Sequence, residues 1–261
     1  MNTSFSLAAL AAVSLASLPA AAASPHSFSG KGALYSEYEY RGIAQTSEDP
    51  ALQLTLDYAH ASGFYVGTFL SNVKWLEDSG DSFNIPNDGK VEWDIYGGYK
   101  WSFAPGWAAD LGVLRYEYPS SGSFDPFLGS PETTELYAGV SYGPATLKYS
   151  YATTQIFGVP DSEGSDYLEL ALAHPVMSNK LTLNAVLGHQ RYRGTQRVFG
   201  RRFDNGNFDY TVWKFGATYD FGSGITAGAY YKGTDAEPAY FTYEGKDWSR
   251  DRLVAFVAYT F

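Results

Sequence analysis

From residue 28 onward the chain repeats one local pattern: short segments in which apolar and polar residues alternate with a period of two. Successive side chains of a strand point to opposite faces, so this period marks strands with one apolar and one polar face. Leu52, Leu54, Leu56 and Tyr58 alternate with Gln53, Thr55 and Asp57. Val91, Trp93, Ile95, Gly97, Tyr99 and Trp101 alternate with Glu92, Asp94, Tyr96, Gly98 and Lys100. Thr211, Trp213, Phe215, Ala217, Tyr219 and Phe221 do the same against Val212, Lys214, Gly216, Thr218 and Asp220. Twelve such segments are read, over 28–41, 51–60, 63–72, 91–103, 107–118, 132–142, 145–152, 166–174, 180–190, 209–221, 225–232 and 252–261. The third has no clear face. The fifth breaks its pattern at Arg115 and Glu117, where it leaves the membrane or carries a bulge.

The spacers carry a second periodicity, alternately long and short. The long ones cover 42–50, 73–90, 119–131, 153–165, 191–208 and 233–251. The short ones are Ala61-Ser62, Ala104-Pro105-Gly106, Gly143-Pro144, Val176 to Asn179 and Gly222-Ser223-Gly224. A soluble sandwich has no physical reason to gather every long loop at one end. Short turns on one side and long loops on the other suit an all-β, twelve-stranded antiparallel up-and-down transmembrane barrel. An even strand count puts both chain ends on the short-turn side, the periplasm.

In a membrane barrel the apolar face meets lipid and the polar face lines the lumen. The expected lining is then Lys31, Glu37, Glu39, Arg41, Asp57, Glu92, Asp94, Lys100, Asp110, Glu135, Lys148, Glu169, Lys214, Asp220, Lys232 and Arg252. Nine of these are acids and seven are bases. Both signs together can line a wet pore with weak cation preference, or knit into a network that closes it. Aromatics near the strand ends suit the headgroup level. Trp101, Phe103, Trp107, Tyr142, Tyr219, Phe221, Tyr259 and Phe261 lie toward the short turns; Tyr38, Tyr40, Trp75, Tyr118, Tyr151 and Tyr231 lie toward the long loops.

Both ends of the chain agree. Residues 7 to 18 are uncharged and apolar, and Ala21-Ala22-Ala23 offers small residues for cleavage. Residues 1–23 read as a signal peptide and 24–261 as the barrel. The segment before residue 7 lacks Lys and Arg, a departure from the usual leader. In the last strand Leu253, Ala255, Val257, Tyr259 and Phe261 share one face. That tail, with Tyr259 and Phe261, resembles the signature of outer-membrane barrels that the assembly machinery reads as its signal.

Composition narrows the function. Aromatics make up 17% of the chain, with 22 Tyr, which suits strands and interfacial girdles. The absence of Cys excludes a disulfide framework and cysteine metal sites. A formal net charge of −10 argues against nucleic acid as a partner. No metal-ligand cluster, phosphate-binding glycine loop or haem motif is visible, so neither a metal nor another cofactor is expected.

Tyr40 to Asn72 reads YRGIAQTSEDPALQLTLDYAHASGFYVGTFLSN. The YRGIAQT start, the acidic loop before Pro50-Ala51-Leu52-Gln53, the Asp57-Tyr58 pair and the SGFYVGT stretch resemble the TorF-type porins, a family also labelled Gcw-type uncharacterised proteins. The resemblance implies an outer-membrane barrel that serves as a porin. It implies no particular solute and no functional residue.

Five arginines, Arg191, Arg193, Arg197, Arg201 and Arg202, crowd the fifth long loop. They can form a collar that favours anions in a pore, bind phosphates of lipopolysaccharide through the guanidinium fork, or be a solvated basic loop beside Asp204 and Asp209. A hydrolase of barrel architecture is the least favoured class. His26, His60, His174 and His189 are scattered, the acids name no acid–base pair, and no nucleophile–base pair of the barrel-phospholipase kind is marked. No catalytic residue is therefore assigned. The expected function is passive diffusion of small hydrophilic solutes across a bacterial outer membrane, with lipid, lipopolysaccharide and the barrel assembly machinery as partners. The rival is a closed or nearly closed barrel with an envelope-structural or interaction role.

Overall fold

The computed structural model describes residues 24–82, 87–119, 130–198 and 200–261; the expected signal peptide lies outside them. Twelve strands close into one barrel. They are β1 (His26–Tyr35), β2 (Ala51–His60), β3 (Phe64–Asn72), β4 (Val91–Ala104), β5 (Trp107–Glu117), β6 (Thr133–Tyr142), β7 (Ala145–Ala152), β8 (Asp166–Val176), β9 (Leu181–Arg191), β10 (Tyr210–Gly222), β11 (Ile225–Thr234) and β12 (Arg252–Thr260). Each pairs antiparallel with its neighbours in sequence, and β12 returns to β1 in the register Lys31↔Thr260 to Tyr35↔Phe256. Closure removes the unpaired edge that an open sheet would leave. The expected all-β, twelve-stranded up-and-down barrel is the fold.

Polarity is inverted relative to a water-soluble barrel. On β2, Leu52, Leu54 and Leu56 are exposed while Gln53 is buried. On β10, Phe215 points outward and Lys214 is buried; Lys232 on β11 has no exposed surface at all. Leaving an aliphatic or aromatic side chain in water forgoes about 1.5–3 kcal/mol. A belt of them is stable only when an apolar medium covers it. Which face is interior follows from contacts through the bore: the Tyr65 hydroxyl on β3 meets the Tyr137 hydroxyl on β6 at 2.5 Å. Toward the short turns, Phe103, Trp107, Tyr142, Phe221, Tyr259 and Phe261 project outward as an aromatic rim.

The short turns carry the expected chemistry. Ser223 and Gly224 both have positive φ, 53° and 82°, the primed geometry that matches strand twist. A Cβ on Gly224 would lie 2.2 Å from the Thr260 carbonyl oxygen, so the turn requires glycine there.

Four features differ from the expected layout. First, β1 stops at Tyr35 rather than running to residue 41. The chain turns into the bore, and Glu39–Tyr40 pairs with Ile43–Ala44 as a small ladder. Alternation persists past Tyr35 because this ladder has two faces of its own. Second, β3 shows no face in sequence because Phe69 is apolar yet interior, packed 5.9 Å from the Tyr38 ring. Third, β5 keeps its register through Arg115 and Glu117, without a bulge there. These two point outward and pair with each other at 2.6 Å. Fourth, the second long loop contains a helix, α1 (Trp75–Ser82), whose Trp75 and Leu76 are buried against the barrel mouth. The third long loop lies largely outside the described residues.

Candidate functional site

The segment from Ser36 to Pro50 lies across the long-loop end of the bore, and its charged residues reach the wall in different directions. The Arg41 guanidinium makes a bidentate pair with Glu135 on β6, at 2.9 and 2.7 Å, and donates to the Gln190 side chain on β9 at 2.9 Å. Its plane stands over the rings of Tyr40 and Tyr167, 4.8 and 4.3 Å from their centroids. Glu39 pairs with Lys214 on β10 at 2.7 Å. Glu37 and Glu48 take Arg252 on β12 at 2.7 and 3.0 Å. Lys232 on β11 donates to the Gly42 carbonyl at 2.7 Å. The Tyr38 hydroxyl donates to Glu92 on β4 at 2.6 Å, joined there by Tyr118 at 2.8 Å. One short segment is thus tied to β4, β6, β9, β10, β11 and β12.

The other loops brace it from outside. The Ser47 hydroxyl donates to Asp78 on α1. Lys74 sits 3.5 Å from Asp49 and 3.8 Å from Asp78; the Asp78 carboxylate, chiefly, raises the Lys74 pKa above its ordinary value. The Ala44 amide donates to the Trp248 carbonyl of the sixth long loop at 3.0 Å. The buried pairs are Arg41–Glu135 and Glu39–Lys214; breaking one partner there strands the other in a dry site.

Along the wall, from mid-bore up to the inserted segment, tyrosines are set against glycines. A Cβ on Gly67 would stand 2.5 Å from the Tyr96 ring; on Gly112, 2.4 Å from Tyr137; on Gly188, 2.0 Å from the Tyr167 hydroxyl. A wall position without a side chain lets the neighbouring ring lie along the wall instead of projecting into the lumen, the aromatic rescue of strand glycines. The hydroxyls then serve the acids: Tyr96 donates to Asp57 at 2.6 Å and Tyr65 to Asp110 at 2.7 Å.

The expected lining residues fall into distinct settings. Lys31, Asp57, Glu92, Asp94, Lys100, Asp110, Glu135, Lys148, Glu169, Lys214, Asp220, Lys232 and Arg252 are carried on barrel strands. Glu37, Glu39 and Arg41 belong to the inserted segment and face those strands. Lys100 and Asp110 are cross-strand partners 3.9 Å apart. Lys148 lies over the Tyr137 ring at 4.2 Å. Asp220 is exposed at the short-turn end, accepting from the Gly222 amide at 2.7 Å.

The arginine-rich loop is divided. Arg191 shares the outward face of β9 with Leu183 and Leu187, while Gln190 beside it faces the bore. Arg191 and Arg193 both pair with the buried Asp166, at 2.7 and 3.3 Å, rather than with Asp204 or Asp209. Arg197, Arg201 and Arg202 are exposed on a hairpin, Thr195–Val198 against Arg201–Asp204, where Arg197 and Arg202 stand directly opposite each other. The five thus split into two that hold Asp166 and three on the hairpin.

The aromatic girdle needs correction at the long-loop end. Tyr38, Tyr40, Trp75 and Tyr118 turn inward into the packing around the inserted segment, while Tyr151 and Tyr231 remain outward. Tyr96 apart, the lumen tyrosines were not expected from the sequence, and neither was the inserted segment. The signal that could have found the segment is Glu37-Tyr38-Glu39-Tyr40-Arg41, a strand end charged at every second residue with no apolar lipid face.

Among the described residues, His–hydroxyl contacts occur where no nucleophile–base pair was expected. His60-Ala61-Ser62 brings His60 Nδ1 to 2.7 Å from Ser62 Oγ, within the exposed turn after β2. It lies at the short-turn end, away from the loops. No group of three or more His, Asp or Glu residues suited to a metal ion occurs among the described residues.

Comparison with known proteins bears first on the fold. The chain is similar to a solved structure described as KdgM porin, with a TM-score of 0.53, 8% identity, and coverage of 89% of this chain and 98% of that one. It is similar to a NanC porin structure, with a TM-score of 0.51, 10% identity, and coverage of 90% and 98%. A third, the COG4313 outer membrane channel from Pseudomonas putida F1, has a TM-score of 0.51, 15% identity, and coverage of 92% and 97%. No curated protein matches the chain. The family described as "Bacterial protein of unknown function (Gcw_chp)" matches residues 19–261. That description assigns no activity, and the TorF-type label is not part of it.

Proposed function

The chain belongs to the Gcw_chp family, and from that premise we propose that it is a porin-like outer-membrane channel for passive diffusion of small hydrophilic solutes. One observation carries the reading: an apolar belt faces outward while Lys214, Glu92 and Glu135 are turned inside a twelve-stranded closed barrel. Charged interiors are stable there only if the exterior is in lipid and the interior is hydrated or paired. The similarity in fold to porins and an outer-membrane channel supports the same reading. With it go export through a cleaved leader over residues 1–23, periplasmic ends, and Tyr259 and Phe261 as part of the assembly signal. No catalytic residue is assigned.

A second reading, a closed barrel with an envelope-structural or interaction role, is favoured by the Arg41–Glu135 and Glu39–Lys214 pairs that tie the inserted segment across the bore. Planar-bilayer conductance of the purified protein decides between them. Discrete channel steps support the porin. Silence in the wild type, with steps appearing when Glu135→Gln and Lys214→Gln release the segment, supports the closed barrel.

A further inference from the structure

The charges of the bore are sorted by side. Glu92 and Asp94 on β4 and Glu135 on β6 form an acidic wall; Lys214 on β10, Lys232 on β11 and Arg252 on β12 form a basic one. In the ring of strands β4 stands opposite β10, and β6 opposite β12. All six side chains are buried, so their fields are screened far less than those of surface charges. The strand-borne charges that break the rule, Lys100 on β4 and Asp220 on β10, lie toward the short turns, and Lys100 is spent on Asp110 at 3.9 Å.

The inserted segment obeys the same sorting. Its Arg41 goes to the acidic wall, its Glu37 and Glu39 to the basic one. The protein's own chain therefore shows what this cross-section accepts: a group cationic on one side and anionic on the other. Capacity is left over on both walls. Asp94 Oδ1 and Arg252 Nε are buried without a hydrogen-bond partner. The first is an acceptor suited to an ammonium, the second a donor suited to a carboxylate. A buried polar atom left unpaired is costly, so each favours a ligand that completes it.

A solute with net charge is attracted by one wall and repelled by the other. A neutral sugar gains from neither. A zwitterion gains from both, provided it aligns across the bore. Resting on the channel reading above, we infer that the bore selects small zwitterionic solutes of the α-amino-acid type, oriented with the ammonium toward β4 and β6 and the carboxylate toward β10 and β12.

The test is swelling of liposomes carrying the full protein, in glutamine against arabinose, a zwitterion and an uncharged sugar of similar size. Glutamine is expected to drive swelling several-fold faster. In Asp94→Asn and, separately, Glu92→Gln, the ratio of the two rates is expected to fall toward one. Equal rates in the wild type, or an unchanged ratio in both variants, overturn the inference. Swelling in arabinose without a preference sinks only the selectivity, whereas no swelling in either solute sinks the channel reading with it. If a variant does not reach the folded, heat-modifiable form, the other variant and the wild-type ratio still decide.

Discussion

Gly30 and Phe261 hold each other at the seam of the barrel. The Gly30 amide donates to the Phe261 carbonyl at 2.9 Å, and the Phe261 amide donates back to the Gly30 carbonyl at 2.9 Å. The ring completes the contact: a Cβ on Gly30 would lie 2.4 Å from its Cζ. The seam between β1 and β12 is the one pairing that joins strands far apart in sequence, so its last rung matters for closure.

Deleting Phe261 removes that rung and the aromatic rim residue together. Each lost hydrogen bond costs about 0.5–1.5 kcal/mol. Reduced heat-modifiable barrel in outer-membrane fractions is expected, and Gly30→Val should act in the same direction by displacing the ring. Normal levels of folded Phe261-deleted protein would show that neither the seam nor the tail limits assembly.

The two faces of the strands should differ in tolerance. Arginine at Leu54, Ile95 or Phe215, all outward, is expected to cost about 2–4 kcal/mol at mid-membrane depth. Arginine at Thr55 or Thr218 should cost less, because those positions face the bore. Gly216 is a poor control, since its Cβ would stand 2.4 Å from that of Tyr230. Refolding titrations into lipid vesicles give the comparison, and equal costs on both faces would contradict the polarity.

Arg41→Ala strands Glu135, which is 2% exposed, without its partner. Breaking a buried pair from one side costs about 3–5 kcal/mol. The double variant Arg41→Met, Glu135→Leu should recover much of that loss. Urea titration of the single and double variants in vesicles checks it, and additive losses would mean the pair is not coupled.

Tyr137 keeps its place along the wall because Gly112 has no side chain. Gly112→Val should push the ring into the bore and lower single-channel conductance. An unchanged conductance would place the narrowest section elsewhere, at the inserted segment.

Neutralising Arg191 and Arg193 should leave ion selectivity unaltered, because both are turned to the outer face on Asp166. Reversal potentials across a salt gradient measure this. A shift toward cations in that double variant would put the arginine loop at the pore mouth after all.

Sequence alone determined that there are twelve strands, their order and, β3 apart, their faces; it overran the end of β1. Leu52, Leu54 and Leu56 against Gln53 and Thr55 could be sorted without any coordinates, because the period of two is a property of the backbone. The long and short spacers, read the same way, set the up-and-down topology. What lay beyond that reading was the inside of the barrel. Glu39 and Arg41 continued the alternation of β1 and looked like wall residues, yet they sit in a segment folded across the bore. Arg41 meets Glu135 at a separation of 94 residues and Gln190 at 149, and Arg252 meets Glu37 at 215. No local pattern encodes which acid finds which base over such distances. Closure of the ring decides it, by bringing strands half a circumference apart to face one another across a lumen narrow enough for side chains to span.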